Sequence, residues 1–494
     1  MVQKQTRRDM TILITTILYF CLLLLISHLT GKGGNDAFFR GNRQSPWPLV
    51  AFGMIGASVS GVTFVSVPGM VIGSDMTYIQ MCIGYILGYA AVAFILLPIY
   101  YKLNLTSIYT YLDKRFGHTS YKTGASFFLL SKLTGAAVRL YLVCLILQEY
   151  VFDQYGIPYI LTVIGTLVLI WLYTRNSGIK TLVWTDTLQT TCFLITIVLI
   201  IYKAIDLLGM DFGSAYSAVW NNPHSRIFEF DDWTSRQYFW KQFLSGIFIV
   251  IVMTGLDQDM MQKNLTCKDL RSAQKDMCLS GFLFTPVNLL VMTLGVMMVM
   301  LYNQTGTPLP DIADNLLPGF IASGQMGEVT LVFFTVGIIA SAFSSADSAL
   351  TALSTSFCID ILEIENKERP SRLLEKRTPE QIRKIVHIGM MAVFVLFILI
   401  VKSIGSNSVI DAIYTLASYT YGPLLGLYFA GIFTKIQPTD KFVPYVTIAS
   451  PFICYLIQWV TAQTTGYQFG YELLMFNGAL TCFGLWMTQK IKAA

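Results

Sequence analysis

Charged residues are scarce in this chain. Aspartate, glutamate, lysine and arginine make up 13% of its 494 residues, whereas soluble domains carry about 25%. Apolar residues reach 54% and form long runs from one end of the chain to the other, which predicts a polytopic membrane protein with no separate soluble domain. The formal net charge of +5 does not indicate nucleic-acid binding, because the basic residues lie in short loops between the apolar runs.

Several catalytic and metal-binding patterns are also missing. No GxxxxGK(S/T) phosphate-binding loop occurs, which argues against ATP-driven transport within this chain. The nine cysteines form no CxxC pair and no cluster with histidine, so neither a disulfide framework nor a cysteine-ligated metal site is indicated. The four histidines are scattered and pair with nothing obvious: His28, His118, His224 and His387. A membrane enzyme is therefore disfavoured, and a channel or a secondary transporter remains.

Thirteen apolar segments are present, each near the ~20 residues that a helix needs to cross a bilayer. The predicted spans are residues 10–30, 47–72, 76–101, 123–150, 157–174, 181–208, 237–262, 277–302, 328–362, 383–403, 408–434, 441–462 and 470–489. The first segment is too long for the core of a signal peptide and lacks a small-residue cleavage site. It is therefore predicted to be a retained helix.

Lysine and arginine residues concentrate in alternate loops, which predicts that those loops and the C-terminus face the cytoplasm. The loop predicted after the seventh span carries Lys263, Lys268, Arg271 and Lys275, and the loop after the ninth span is the richest in such residues. With thirteen spans the N-terminus then lies outside the cell. Three basic residues near the N-terminus argue the other way: Lys4, Arg7 and Arg8.

The stretch SAFSSADSAL, residues 341–350, follows an apolar run and is unusually polar for a membrane span. On a helix, its serines at 341, 344, 345 and 348 share one face, and Asp347 lies beside them. An unpaired carboxylate at bilayer depth costs about 2.5–3.5 kcal/mol. Oxygen ligands suit a hard cation. The alternative is that the serines only permit close helix packing, but the rare intramembrane acid favours a functional site.

Asp186 is a second acid at the start of a span, in LVWTDTLQ. Taken alone, it is best explained as an interfacial acid at a helix N-terminus, where the helix dipole favours negative charge.

Two spans are interrupted by residues that break helices. The second span carries Gly53, Gly56, Gly61 and Pro68, and the seventh is interrupted at Met253–Gln258. Unwound helices of this kind free backbone groups for ions and substrates. The two interruptions lie five helices apart, which is the spacing of an inverted five-plus-five repeat. The alternative is that the glycines merely pack against neighbouring helices.

Five stretches, in order, resemble the sodium:solute symporter family, whose members include bacterial sodium–sialic acid and sodium–galactose transporters. They are NDAFFRGNRQSPW, IGASVSGVTFVSVPG, YTRNSGIKTLVWTDTLQ, DQDMMQKNL and SAFSSADSAL. One departure is Ser177-Gly178, where the family has a glycine pair. The resemblance implies an all-α polytopic membrane protein with the LeuT-type five-plus-five inverted repeat. Residues 1–494 would form one transporter domain, with a first repeat at 47–208, a second at 237–434, an extra helix at 10–30 and two more within 441–489.

The resemblance also implies site residues. The first cation site would hold sodium on the carbonyl groups of Gly56, Val59 and Ser341 and the hydroxyl groups of Ser344 and Ser345. The second cation site would comprise Asp186, Asp347 and Ser348. The solute-binding residues would be Ser60, Thr63, Tyr78 and Arg139. For Arg139 the alternative is an ion pair with Asp347, Asp186 or another buried acid.

These observations predict a sodium-coupled secondary symporter, with Na⁺ as the coupling ion, that imports a small polar organic solute by alternating access. A carboxylate or a sugar acid is a candidate solute. The alternatives are a proton-coupled symporter of the same fold and a sensor or channel-like member that does not transport. The protein is expected to act as a monomer in the cell (inner) membrane, to bind solute, sodium and lipid, and to bind no nucleic acid.

Overall fold

The computed structural model describes residues 2–30, 34–175, 178–365, 377–404 and 409–491, and for 2–13 its backbone only. Within those ranges the chain is helical, and the only β-type pairing is an isolated bridge between Ser45 and Cys267. Continuous apolar sequence explains this, because a helix satisfies every backbone hydrogen bond inside its own segment in lipid. Ser177, and the basic residues at 366–376 of the predicted cytoplasmic loop, lie outside the described residues.

Besides shorter 3-10 and π-helical segments, the described chain contains 21 α-helices. They are α1 Val2–Thr30, α2 Asn35–Arg40, α3 Trp47–Ser58, α4 Gly61–Ser74, α5 Tyr78–Ala91, α6 Leu97–Lys102, α7 Thr110–Arg115, α8 His118–Leu147, α9 Tyr159–Thr174, α10 Ile179–Leu208, α11 Phe212–Trp220, α12 Phe239–Val250, α13 Gln258–Asn264, α14 Leu270–Thr305, α15 Leu316–Ala322, α16 Gly327–Ser356, α17 Pro379–Ile404, α18 Val409–Thr420, α19 Gly422–Phe433, α20 Val443–Thr465 and α21 Leu473–Ile491.

Helix is found in each of the thirteen ranges predicted to span the membrane. By length and composition, 7 helices in the described chain could cross a bilayer, or up to 9 if each of two bent pairs is one span. Three shorter apolar helices add to them: Ile14–Thr30, Tyr159–Thr174 and Gly422–Phe433. The chain is therefore a multi-pass membrane protein. The count of thirteen spans, and the side of the membrane on which each loop lies, stay predictions.

Both predicted interruptions are sharp bends. The axes of α3 and α4 differ by 54°, because Val59 and Ser60 leave the helical conformation between the two helices. The segment that starts with α12 and runs to Gly255 meets α13 at 70°. Leu256 and Asp257 are non-helical at this second bend, and the Asp257 carboxylate accepts a hydrogen bond from the Asp259 amide at 2.9 Å.

The helix that contains SAFSSADSAL lies at the centre of the protein. In the most apolar 18-residue stretch of α16 and its extension to Ile361, 78% is buried inside the protein. The corresponding share is 17% for α17 and 22% for the helix that contains α20. It packs against α8, α10 and both halves of the bent pair α3 and α4. The polar stretch of the sequence is therefore enclosed by protein rather than exposed to lipid.

Candidate cation and solute sites

Glycines in the first bent helix allow α3 to lie directly against α10. A Cβ atom on Gly56 would stand 1.9 Å from Thr190 Oγ1, and one on Gly53 would stand 3.0 Å from the Cβ atom of Asp186. The Thr190 hydroxyl group donates to the Phe52 carbonyl at 3.1 Å, across the same contact. Asp186 is thereby held beside the bend between α3 and α4.

The bend releases backbone oxygens next to the serines of α16. Among the described residues, no backbone amide donates to the carbonyl groups of residues 56–59. The Ser345 hydroxyl group donates to the Ala57 carbonyl at 3.4 Å, and the hydroxyl groups of Ser341 and Ser344 are buried. The structure therefore packs α16, which carries Ser341, Ser344 and Ser345, against the two helices that flank the bend, and the first cation site stays a prediction. Their carbonyl and hydroxyl oxygens are neutral donors of the kind that a hard monovalent cation prefers.

Ser344 joins the two predicted cation sites. Its hydroxyl group donates to Asp186 Oδ1 at 2.7 Å. A hydroxyl group that donates its one proton still has oxygen lone pairs to offer. The contact with Asp186 is therefore compatible with Ser344 acting as a cation ligand.

Lys263 forms an unexpected contact at this place. Its Nζ atom lies 2.7 Å from Asp186 Oδ2, and the two side chains are 1% and 0% exposed. The prediction that Lys263 belongs to a basic cytoplasmic loop is wrong, because the 70° bend leaves α13 packed against α3, α10 and α16. The interfacial interpretation of Asp186 is wrong for the same reason, since the carboxylate is buried and paired.

Asp347 is bound by hydroxyl groups rather than by a basic side chain. The Tyr173 hydroxyl group donates to Asp347 Oδ2 at 2.7 Å, and the Ser348 hydroxyl group donates to Oδ1 at 3.2 Å. All three side chains are buried. Tyr173 lies on α9, and nothing in the sequence indicated its contact with α16.

The central cavity lies between the two bends and has a volume of about 80 Å³. Ala57 and Ser58 of the first bend line it, together with Asp257 next to the second bend and Lys132 and Arg139 of α8. Arg139 is half-buried, and it has no ion pair or hydrogen bond with any described residue. Asp186 and Asp347, its suggested ion-pair partners, are bound by other groups.

A second buried ion cluster forms one wall of the central cavity. Lys132 Nζ lies 3.2 Å from Asp257 Oδ2 and 2.6 Å from Asp259 Oδ2. The Tyr421 hydroxyl group donates to Asp257 Oδ2 at 2.6 Å. Neither Lys132 nor Asp257 was among the predicted site residues. A lysine inside the apolar run FFLLSKLTG and an acid within a helix break are signals that could have identified them.

The other predicted solute-binding residues lie away from the central cavity. Ser60, Thr63 and Tyr78 are buried but are not part of its lining. The Tyr78 hydroxyl group lies 2.9 Å from that of Tyr414, which lies 2.9 Å from that of Tyr85. Tyr414 and Tyr85 do line the cavity, so this chain of three hydroxyl groups joins α5 to α18 at its wall.

Comparison with known proteins matches this chain to sodium-coupled transporters. The model of the sodium:solute symporter family matches residues 38–437. The sodium/sialic acid symporter SiaT of Proteus mirabilis is 26% identical over 439 residues, which are 84% of this chain and 83% of that protein. NanT of Aliivibrio fischeri, also a sodium/sialic acid symporter, is 25% identical over 417 residues, covering 82% and 78%. The human sodium/iodide cotransporter is 23% identical over 441 residues, covering 84% of this chain and 65% of that protein.

Solved structures share the fold. A substrate-bound, outward-open Na⁺-coupled sialic acid symporter superposes with a TM-score of 0.81 at 22% identity, covering 97% of this chain and 98% of its own. Mhp1, a nucleobase-cation-symport-1 family transporter, gives a TM-score of 0.53 at 13% identity, covering 92% and 94%. These likenesses confirm the predicted all-α, LeuT-type fold class, while the repeat boundaries stay predictions. The family match covers most of the sequence and supports sodium-coupled transport rather than enzymatic activity, and the chain therefore belongs to the sodium:solute symporter family.

Proposed function

We propose that this protein is a sodium-coupled symporter that imports a small organic carboxylate, with Arg139 as the group that binds the carboxylate. The observation that carries the proposal is the position of Arg139, which lines the central cavity without a described ion-pair partner. A guanidinium group offers a planar fork of donors that matches a carboxylate in two parallel hydrogen bonds. The sialic acid relatives support the same chemical class of solute, since sialic acid is itself a carboxylate.

The size and lining of the central cavity favour a small solute. A volume of about 80 Å³ holds about three water molecules at the ~30 Å³ that each occupies in the liquid. Tyr85, Tyr89 and Phe284 contribute aromatic surface to the wall, which suits the apolar part of a solute, while Ser58 supplies a hydroxyl group close to the bend. A solute larger than a few carbon atoms requires the wall to move outward when it binds.

The position of the bend between α3 and α4 suggests how sodium binding is coupled to solute binding. The residues of the first cation site come from the α3–α4 bend and from α16, so a sodium ion bound there would hold these two elements together. Ala57 and Ser58 of the same bend line the central cavity. Solute and sodium would therefore act on one segment of backbone. An inward sodium gradient supplies the driving force, and the membrane potential adds about 2.3 kcal/mol per 100 mV for each net positive charge that a cycle moves.

The test is uptake and binding of a panel of carboxylates by the purified protein in proteoliposomes. Arg139→Lys keeps the charge but loses the two-pronged geometry, so we expect solute affinity to fall by at least tenfold, ~1.4 kcal/mol, while sodium binding persists. Arg175→Lys is the matched control, because Arg175 is exposed and, within the part of the chain that the structure describes, its guanidinium group stacks only on Trp171. Unchanged affinity for every transported carboxylate in Arg139→Lys would contradict the carboxylate assignment.

A further inference from the structure

A buried acid that belongs to neither the cation sites nor the central cavity lies near the start of α14. Asp276 is fully buried, and it has no ion pair with any residue that the structure describes. An unpaired charge in a protein interior is costly. The carboxyl group therefore needs either a cation or a proton to neutralise it.

The hydrogen bonds of Asp276 leave one of its oxygen atoms for a proton. Asn264 Nδ2 donates to Asp276 Oδ2 at 2.6 Å and to the Ala273 carbonyl at 3.0 Å, so Oδ2 is an acceptor. The other oxygen, Oδ1, lies 3.3 Å from the Ser280 hydroxyl group. Ser280 is the only described side chain that turns an oxygen atom toward Asp276, whereas hard cations take several oxygen ligands. The site therefore suits a proton better than a metal ion.

Ser280 lies between this acid and the first half of the bent span. Its Oγ atom is 3.3 Å from Asp276 Oδ1 and 3.3 Å from the Ala51 carbonyl oxygen of α3. A hydroxyl group has one proton to donate. An ionised Asp276 attracts that proton, because hydrogen bonds to charged acceptors are the stronger ones. A protonated Asp276 instead donates to Ser280, which is then free to donate to Ala51.

The contact between Ser280 and α3 is connected to the central cavity. Ser58, the last residue of α3, lines the cavity, and its hydroxyl group lies 3.3 Å from that of Tyr89 on α5. Gly281, next to Ser280, packs closely on the same tyrosine, since a Cβ atom there would stand 2.5 Å from Tyr89 Cβ. α14 therefore holds α3 both directly, through Ser280, and indirectly, through Tyr89.

No basic side chain neutralises Asp276 among the described residues. Four titratable side chains, none of them a base, lie close enough to interact with it: Tyr89 of α5, Tyr101 of α6, Cys267 and Cys278. α3 and α4 contain no titratable residue. Lys263, the neighbour of Asn264, is bound to Asp186 instead. Lys275 precedes Asp276 but is exposed and lies over the Trp47 ring.

A proton can reach Asp276 from the side of the membrane on which α14 begins. Asp276 lies only ~9 Å along the helix axis from Leu270, the first residue of α14. Lys268 and Asp269, just before that residue, are exposed. Arg43, which lies close to Tyr101, donates to the Leu105 carbonyl at 3.4 Å. This side is the one that the basic loops predict to be cytoplasmic.

We infer that Asp276 is a proton-binding site which, when protonated, holds α3 against α14 through Ser280, so that acid on the predicted cytoplasmic side slows transport. The inference rests on the proposed function, because it needs a transport cycle in which α3 moves. The proton binds to Oδ1 from water and returns to water on the same side. It is therefore not carried across the membrane and does not drive uptake.

Infrared difference spectroscopy of the purified protein tests the proton site without any solute. Lowering the pH should produce the C=O band of a protonated carboxyl group that is missing from Asp276→Asn. Ser280→Ala keeps the acid, so the band should persist in that variant. The absence of a band that depends on both Asp276 and pH would overturn the inference. So would a band that sodium abolishes at constant pH, because a cation would then be filling the site.

Uptake by proteoliposomes of known orientation, with the pH set separately on each side, tests the link to α3. We expect acid on the predicted cytoplasmic side to slow the wild type by about two- to tenfold, the effect of one hydrogen bond. Asp276→Asn keeps a donor next to Ser280 and should be slow at every pH, whereas Ser280→Ala should be fast at every pH. Asp269→Asn is the matched control, because this exposed acid caps the same helix and asparagine caps equally well.

The variants give outcomes that separate the inference from the proposed function. Wild-type pH dependence in either Asp276→Asn or Ser280→Ala would overturn the inference, as would a wild type that responds only to the pH of the opposite side. If Asp276→Asn does not fold, Ser280→Ala and the infrared titration of the wild type decide. A wild type whose Asp276 titrates but that transports no carboxylate would overturn the proposed function and leave the proton site standing.

Discussion

Ser344 is the residue at which the cation-binding and charge-pairing parts of the protein meet. Its hydroxyl group donates to Asp186, and the lone pairs of its oxygen remain available as acceptors. Ser345, one position along, faces the Ala57 carbonyl. The two neighbouring hydroxyl groups therefore have different tasks. In the predicted cation site Ser344 would connect a bound cation to the carboxylate of α10, whereas Ser345 connects α16 to the bend.

Alanine substitutions of these serines should weaken sodium binding. Each change removes one ligand oxygen that no other described side chain replaces, and we expect the double variant Ser344→Ala/Ser345→Ala to raise the sodium concentration for half-maximal transport by about tenfold or more, ~1.4 kcal/mol. Thr335→Val is the control, because Thr335 is also buried on α16 but its hydroxyl group bonds only to the Leu331 carbonyl of its own helix. Identical sodium dependence in the double variant and the wild type would rule out this site.

The sequence alone predicts the positions of some of these residues better than those of others. The serines and Asp347 follow a helical period within one segment, so their shared face was predictable. Asp186 was recognisable only through its resemblance to a family pattern, because an acid at a helix start has an ordinary explanation. Lys263 was not predictable, since a lysine next to other basic residues near a span end has the pattern of a cytoplasmic loop. Only the angle between α12 and α13 places it in the interior.

At the scale of helices, the contact between α3 and α10 positions the segment that would contribute carbonyl groups to the predicted first cation site. The contact is close because glycine stands at residues 53 and 56 of α3, where α10 approaches the backbone. The sequence allowed the bend in this span to be predicted, since glycine and proline recur there. It did not allow the packing partner to be predicted, because α10 lies more than a hundred residues further along the chain.

Gly56→Ala should separate these two helices. The new methyl carbon would lie 1.9 Å from Thr190 Oγ1, so one helix must shift, and we expect a loss of thermal stability together with weaker sodium binding. Overpacking of this kind costs about 1–3 kcal/mol. The double variant Gly56→Ala/Thr190→Gly removes the atoms that clash and should recover part of the loss.

Gly165→Ala is the matched control for this test. Nothing lies within 4 Å of a Cβ atom at Gly165, which is exposed on α9, so we expect its melting temperature and sodium affinity to equal those of the wild type. Gly56→Ala protein with wild-type stability and wild-type sodium affinity would show that α3 and α10 are free to separate without consequence for the site.

At the scale of the whole molecule, the interior contains two clusters of buried charge. One contains Asp186, Asp347 and Lys263, and the other contains Lys132, Asp257 and Asp259. Each has one more acid than base. This excess of negative charge in the interior favours the entry of cations, which agrees with a protein driven by a positively charged ion. The family and the fold class were predictable from five short stretches, whereas the pairing of these charges depends on helix positions that no single stretch encodes.

The nature of the coupling ion can be tested on the intact protein. We expect proteoliposomes with an inward sodium gradient to accumulate solute against the concentration gradient of the solute. An inward proton gradient in sodium-free buffer should drive no accumulation. Uptake under that second condition, equal to uptake with sodium, would instead support the proton-coupled alternative. Protein-free liposomes serve as the control for leakage.

The three tyrosines that link α5 to α18 allow the wall of the central cavity to respond to a bound solute. A phenolic hydroxyl group donates one proton and also accepts, so the row Tyr78–Tyr414–Tyr85 has arrangements in which all the protons point the same way. When they run from Tyr78 through Tyr414 to Tyr85, the proton of Tyr85 is left over on the side of the cavity. An oxygen atom placed there would select this polarity and, through cooperative strengthening along the row, tighten the junction of the two helices. An empty cavity imposes no such direction, so the row can relay the presence of an oxygen-rich solute to α18 without any change in covalent structure or net charge.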